Sequence, residues 1–141
     1  MSLTLSDAQK IIVAALDYAS EHGFKPMAVG VLDARGALVA YAAQDGTSLK
    51  RGDIALAKAN GAIALGMGSR ALMKRAESQA FFITAAGAAI GGALVPVPGG
   101  VLIKSAGKII GAAGISGDTS DHDEDAAVAG ITAAGFEADG G

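Results

Sequence analysis

The sequence predicts an α+β fold, one antiparallel sheet covered by helices on one face. Three observations lead there. Two pairs of short apolar runs, Met27–Leu32 with Leu38–Ala43 and Val101–Lys104 with Lys108–Ile115, are each separated by a tight-turn sequence. Segments with a helical repeat of apolar residues precede, separate and follow these pairs. The order is therefore helix, hairpin, helix, helix, hairpin, helix, and 141 residues suit one domain spanning 1–141.

From Thr4 to about His22, the residues Leu5, Ala8, Ile11, Ile12, Ala15, Leu16 and Ala19 recur at three- and four-residue steps. Thr4 can cap this helix with Asp7 completing a capping box, and Gly23 ends it. Asp33-Ala34-Arg35-Gly36 turns the first hairpin, with Gly36 where φ is positive. A second helix runs from about Ser48 to Gly66 with Ile54, Ala57, Lys58, Ala62 and Leu65 on its period. Gly61 weakens it by up to about 1 kcal/mol relative to alanine. Ser69 caps a shorter helix ending near Ala76, and residues 77–93 fit either a short helix or a buried turn around Phe81, Phe82 and Ile83. Ser105-Ala106-Gly107 turns the second hairpin, and Gly111, Gly114 and Gly117 mark bulges or places of close backbone approach. The last helix runs from Asp118 to about Phe136, with Asp118–Asp121 or Ser120–Asp123 as capping pairs. The tail from Asp139 is expected to fray.

Apolar residues make up 51% of the chain and charged residues 18%, which favours collapse over disorder. Eleven Lys and Arg against fourteen Asp and Glu give a net charge of −3, too little positive charge for a nucleic-acid binder. The absence of cysteine excludes disulfides, zinc–thiolate sites and iron–sulfur ligation. The 21 glycines allow close backbone approach, and so charge-poor a surface points to self-association. Ala80–Val97 is mostly apolar, but it is short for a bilayer and interrupted by Gly and Pro, so no membrane span is expected. The first residues lack a basic segment followed by an apolar one, which suggests a cytoplasmic protein.

Gly66-Met67-Gly68-Ser69-Arg70-Ala71 loosely matches a dinucleotide-binding pattern, but it follows a helix where that motif needs a strand. Gly114-Ile115-Ser116-Gly117 is half of a nucleophile elbow, set in an antiparallel sheet instead of a hydrolase-like one. His22 sits at a helix end, where the dipole favours a cation. His122 lies beside Asp121, Asp123 and Asp125, which form either an acidic first turn or a His–carboxylate site. No set of metal ligands is read from the spacing. Ser48, Lys50 and Arg51 at the start of the second helix suit an anion such as a carboxylate or propionate. Lys58 on an apolar stripe is either snorkelling or functional. Pro96-Val97-Pro98-Gly99-Gly100 is either a rigid turn or a small nest of backbone amides.

In order along almost the whole chain, these segments resemble the small GlcG/HbpS-type haem-binding protein family. The resemblance is carried by Leu5-Ser6-Asp7-Ala8, by the run from Val31 to Leu38, and by Asp45-Gly46 before Ser48. It continues with Ala57-Lys58-Ala59, Pro98 to Ile103, and Ile109 to Gly117 ahead of the Asp-rich helix start. It implies a profilin-like α/β sandwich, with a central antiparallel sheet and helices packed around it. It also implies a homo-oligomer and an association with haem binding or degradation.

Three readings of function follow. The first is a small-ligand-binding protein with haem as its possible cofactor. Its groove would lie between the second helix and the Pro98-Gly99-Gly100 turn, with Arg51, Lys58, Pro98, Gly99, Gly100 and His122 as binding residues. The second is a cofactor-independent isomerase or dehydratase acting on a small oxo or hydroxy acid. There Arg51 and Lys58 hold the carboxylate, the Gly99 and Gly100 amides stabilise an oxyanion, and Asp45, Lys58 and Glu124 are the catalytic candidates. The third is a non-catalytic oligomeric scaffold. The expected partners are further copies of the chain and a small molecule, with neither nucleic acid nor membrane.

Overall fold

In the computed structural model, which describes residues 1–141, helix α1 spans Leu5–Glu21 and carries the expected capping box. Asp7 N–H donates to Thr4 Oγ1 and Thr4 N–H donates to Asp7 Oδ2, both at 3.1 Å. The first hairpin is β1 (Ala28–Asp33) and β2 (Leu38–Ala43), turned at Gly36 with φ 84°. Helices α2 (Arg51–Leu65), α3 (Ser69–Ser78) and α4 (Ala80–Ala89) follow. The second hairpin, β3 (Gly100–Ser105) with β4 (Lys108–Ser116), leads into α5 (Ser120–Ala133) and a short β5 (Glu137–Asp139). The sheet order is β2-β1-β4-β3-β5, antiparallel throughout, so the two hairpins meet at the β1–β4 pair.

Four details differ from the sequence expectation. First, the helices cover both faces. Val29, Val31, Val101, Ile103, Ala113 and Ile115 meet α1 and α5 on one side. Leu32, Leu102 and Ala112 meet Ala59 and Ala62 of α2 on the other. Central strands buried on both faces read as continuous apolar runs, which explains why the runs barely alternate. Second, the tail is not frayed. Gly135 adopts φ 92°, the chain turns back, and β5 pairs with β3, with Phe136 and Ala138 packed against the core. Third, residues 80–89 form α4, joined to α3 through Gln79. Fourth, two caps move. Gly68 occupies the N-cap of α3, while the Ser69 hydroxyl accepts from Gly100 N–H at 2.7 Å and donates to Gly100 O at 3.2 Å. Thr119 caps α5, its Oγ1 accepting from His122 N–H at 3.2 Å.

The contact between α2 and the sheet depends on a missing row of side chains. Gly30, Gly114 and Gly100 are register partners across β1, β4 and β3. A Cβ at Gly114 would lie 1.9 Å from Ala55 O, and one at Gly100 would lie 2.3 Å from Lys58 O. One at Gly30 would lie 2.4 Å from Leu56 Cδ2. The backbone of α2 therefore rests almost directly on the backbone of β4 and β3, and its Leu56 side chain fills the space over Gly30 of β1. Close approach is the reason for a glycine at position 114.

Candidate functional site

Because α2 lies so close to the sheet, the Lys58 side chain has no route to solvent. It is 2% exposed and its partner Asp123, on α5, is 1% exposed. Lys58 Nζ donates to Ile115 O at 2.9 Å and to Asp123 Oδ2 at 3.1 Å. Burial pushes the Lys58 ammonium below its ordinary pKa and the Asp123 carboxyl above its own, and their mutual attraction offsets part of both. The Pro98-Gly99-Gly100 turn is buried and covers this pair: a Cβ on Gly99 would stand 2.8 Å from Lys58 Nζ. The Gly100 amide already donates to Ser69. The space expected as a groove between α2 and this turn is thus filled by the turn and the lysine itself.

The acidic first turn of α5 is divided among several partners. Asp123 takes Lys58, while Asp121 and Glu124 both grip Arg70 on α3, with Glu124 Oε2 at 3.1 Å from Nε. These two carboxylates push the Arg70 guanidinium pKa further up. Asp45 opens on a different cleft, beside Ser20, Phe24 and Gln44. Asp45, Lys58 and Glu124 consequently face three separate surroundings.

Arg51, unlike Lys58, reaches open space. It starts α2, donates through Nη1 to Ser116 Oγ at 3.2 Å, and lines a polar cleft of about 420 Å³. Lys25, Pro26, Gly46, Ser48, Gly117, Asp118 and Thr119 complete the lining. Asp118 is held from several directions. Its Oδ2 accepts Lys25 N–H at 2.7 Å, and its Oδ1 accepts Thr119 N–H at 2.7 Å and faces His122 Nδ1 at 2.7 Å. Those two backbone donors, then His122, hold the Asp118 carboxyl down at about 2.

The chain's two histidines converge on one patch. The His122 ring stacks on Phe24 with centroids 4.1 Å apart and planes 8° from parallel. His22 stacks on Tyr18 at 3.9 Å and lies 5.7 Å from Phe24. His22 Nδ1 faces Tyr18 O at 2.8 Å, just as His122 Nδ1 faces Asp118. A carbonyl or carboxylate accepts, so hydrogen-bond logic assigns the proton to Nδ1 in both rings and leaves Nε2 for a ligand. The signal available in the sequence was the i, i+4 spacing of Asp118 and His122. Acidic residues closer in sequence, at 121, 123 and 125, mask that spacing. No group of three His, Asp or Glu side chains is arranged to hold a metal ion. No helix is long and apolar enough to cross a membrane.

The family described as haem degrading protein HbpS-like matches residues 3–132. Among solved structures, the chain is similar to the PduOC–haem complex, with TM-score 0.86 at 25% identity over 96% of this chain and 97% of that one. It is similar to Streptomyces reticuli HbpS, solved as a double mutant, with TM-score 0.80 at 26% identity over 94% and 86% of the two chains. Klebsiella pneumoniae ORFY, of family DUF336, shares the fold with TM-score 0.84 at 23% identity over 93% and 89%. No curated protein matches the sequence significantly.

Proposed function

Since the chain belongs to the HbpS-like haem-degrading protein family, we propose that it binds haem on the face formed by His122, Phe24 and the Lys25–Arg51 cleft. The observation that carries this reading is the 2.7 Å contact between His122 Nδ1 and Asp118 Oδ1. A carboxylate that takes the Nδ1 proton fixes the ring and makes Nε2 a better electron donor, which suits an imidazole bound to iron. Phe24, flat against the imidazole, holds the ring plane. Lys25 and Arg51 bring two positive charges to an open cleft that shares Asp118 with this histidine, which suits the propionates of a porphyrin. The donor set thus fits haem. When bound, haem supplies an iron centre with redox chemistry, and the side chains of this protein hold the iron and the propionates. In this reading Lys58, Pro98, Gly99 and Gly100 stand behind the cleft as support.

Titration of the purified protein with hemin tests the proposal. The expected result is a shifted Soret band saturating at one haem per chain. His122→Ala should weaken binding tenfold or more, since loss of even an outer partner of such a ligand costs about 10–100-fold. Changing both Lys25 and Arg51 to Ala should weaken binding while leaving the band position unchanged. Titration of His122→Ala indistinguishable from wild type overturns the assignment.

Self-association belongs to the same reading. No charged residue lies between Glu77 and Lys104, and Phe81 on α4 is 77% exposed. A helix apolar on every side is ordinarily covered, and a second copy of the chain would cover this one. Phe81→Lys is expected to lower the mass measured by light scattering. A monomeric wild type would refute this part.

A further inference from the structure

We infer that the buried Lys58–Asp123 pair is a positioning device for His122, acting through the loop at 117–119. The purpose of the device rests on the haem-binding reading; its geometry does not.

The pair joins helices that lie on opposite faces of the sheet, at the end where β4 finishes. Lys58 uses one contact on Ile115 O, the residue before Ser116 at the strand's last position. Asp123 uses Oδ2 on Lys58 and accepts Asp118 N–H on Oδ1 at 2.9 Å. The backbone of the loop is therefore anchored to a buried carboxylate. Asp118, set by that anchor, turns its own carboxylate outward to His122 Nδ1 at 2.7 Å. A continuous path of hydrogen bonds, passing through the Asp123 carboxylate and then through Asp118 itself, runs from Lys58 to the histidine ring.

Stability alone does not account for such a pair. Two apolar side chains of similar volume commonly replace a buried ion pair without loss, because charge burial is so costly. An apolar pair cannot accept the Asp118 N–H. A lone buried carboxylate would accept it but would lack a counter-charge. Lysine favours the ionised, accepting form of Asp123 against the pull of burial, and the aspartate holds the loop. The residues at 58 and 123 are thus explained by what they do to position 118.

The test reads the tautomer of His122 directly, by ring-nitrogen NMR of the protein without haem at alkaline pH. The wild type should show His122 protonated at Nδ1. Asp118→Ala, as reference, should shift it towards the Nε2–H form that an unrestrained histidine favours. The Lys58→Met/Asp123→Leu double variant, like the wild type, should unfold in one cooperative transition and yet show the same tautomer shift. Its hemin affinity should fall about tenfold. A folded double variant with His122 still protonated at Nδ1 overturns the inference. If that variant does not fold, Lys58→Met/Asp123→Ala, which removes the same acceptor with a smaller side chain, is read in its place by the same criterion. A tautomer shift in a protein that fails to bind hemin supports the positioning role and refutes the haem reading. Hemin binding without a tautomer shift does the reverse.

Discussion

Gly114→Ala is expected to destabilise the protein by about 3 kcal/mol, lowering Tm by about 10 °C, the upper end of the usual cost of overpacking. The added methyl would stand 1.9 Å from Ala55 O, a backbone atom in the middle of a packed helix. A flexible side chain could rotate away. Here α2 must lift from the sheet, and it takes the Lys58 contact with it. Gly87→Ala is the matched control. Its Cβ would meet Leu94 Cβ at 3.8 Å, an ordinary contact, in the interior of α4. It should stabilise by about 0.5–1 kcal/mol through helix propensity. Urea unfolding of both variants decides the matter. A Gly114→Ala protein within about 0.5 kcal/mol of wild type would show that the helix floats free of the glycine row.

Lys58→Met should cost about 3–5 kcal/mol, the usual penalty for leaving one member of a buried pair without its partner. Asp123 would remain in a site that is 1% exposed, with its counter-charge gone. Adding Asp123→Leu to Lys58→Met should recover most of that loss, because it removes the stranded carboxylate. The coupling between the two changes is the measured quantity. Two additive losses would mean that the residues do not act as a pair, whatever their 3.1 Å separation.

Much of the fold is legible because it is local. The Thr4–Asp7 box, the β2 boundaries and the turn at Gly36 depend on residues only a few positions apart. What sequence reasoning misses depends on register. Gly30, Gly100 and Gly114 look like three unrelated glycines until the strands are aligned. Their alignment is what admits α2 and closes the groove expected beside the Pro98-Gly99-Gly100 turn. Likewise β5, three residues containing Glu137 and Asp139, has no apolar pattern of its own. It is a strand because β3 offers an edge and Lys104 Nζ offers Asp139 a partner at 2.6 Å. Of the candidate site, Arg51 and His122 were visible as residue types in suggestive places. Their connection through Asp118 was not, because it needs Phe24, Lys25 and the loop after β4 brought together from distant parts of the chain. Lys58 stands out in the sequence as a lysine on an apolar stripe, and in the fold its Nζ meets a buried counter-ion, Asp123.

The seam between the two hairpins also constrains how the molecule assembles. Each hairpin closes over a few residues and can form early. Joining β1 to β4 requires residues 28–33 to meet residues 111–116, and that long loop must be ordered before the contact returns any energy. Until it does, α2 has nowhere to settle, since two of the three glycines beneath it arrive with the later hairpin. As the chain emerges from the ribosome, its first half is therefore a set of apolar faces awaiting a surface that has yet to be synthesised. The β1–β4 seam is thus the long-range pairing on which the rest of the fold waits.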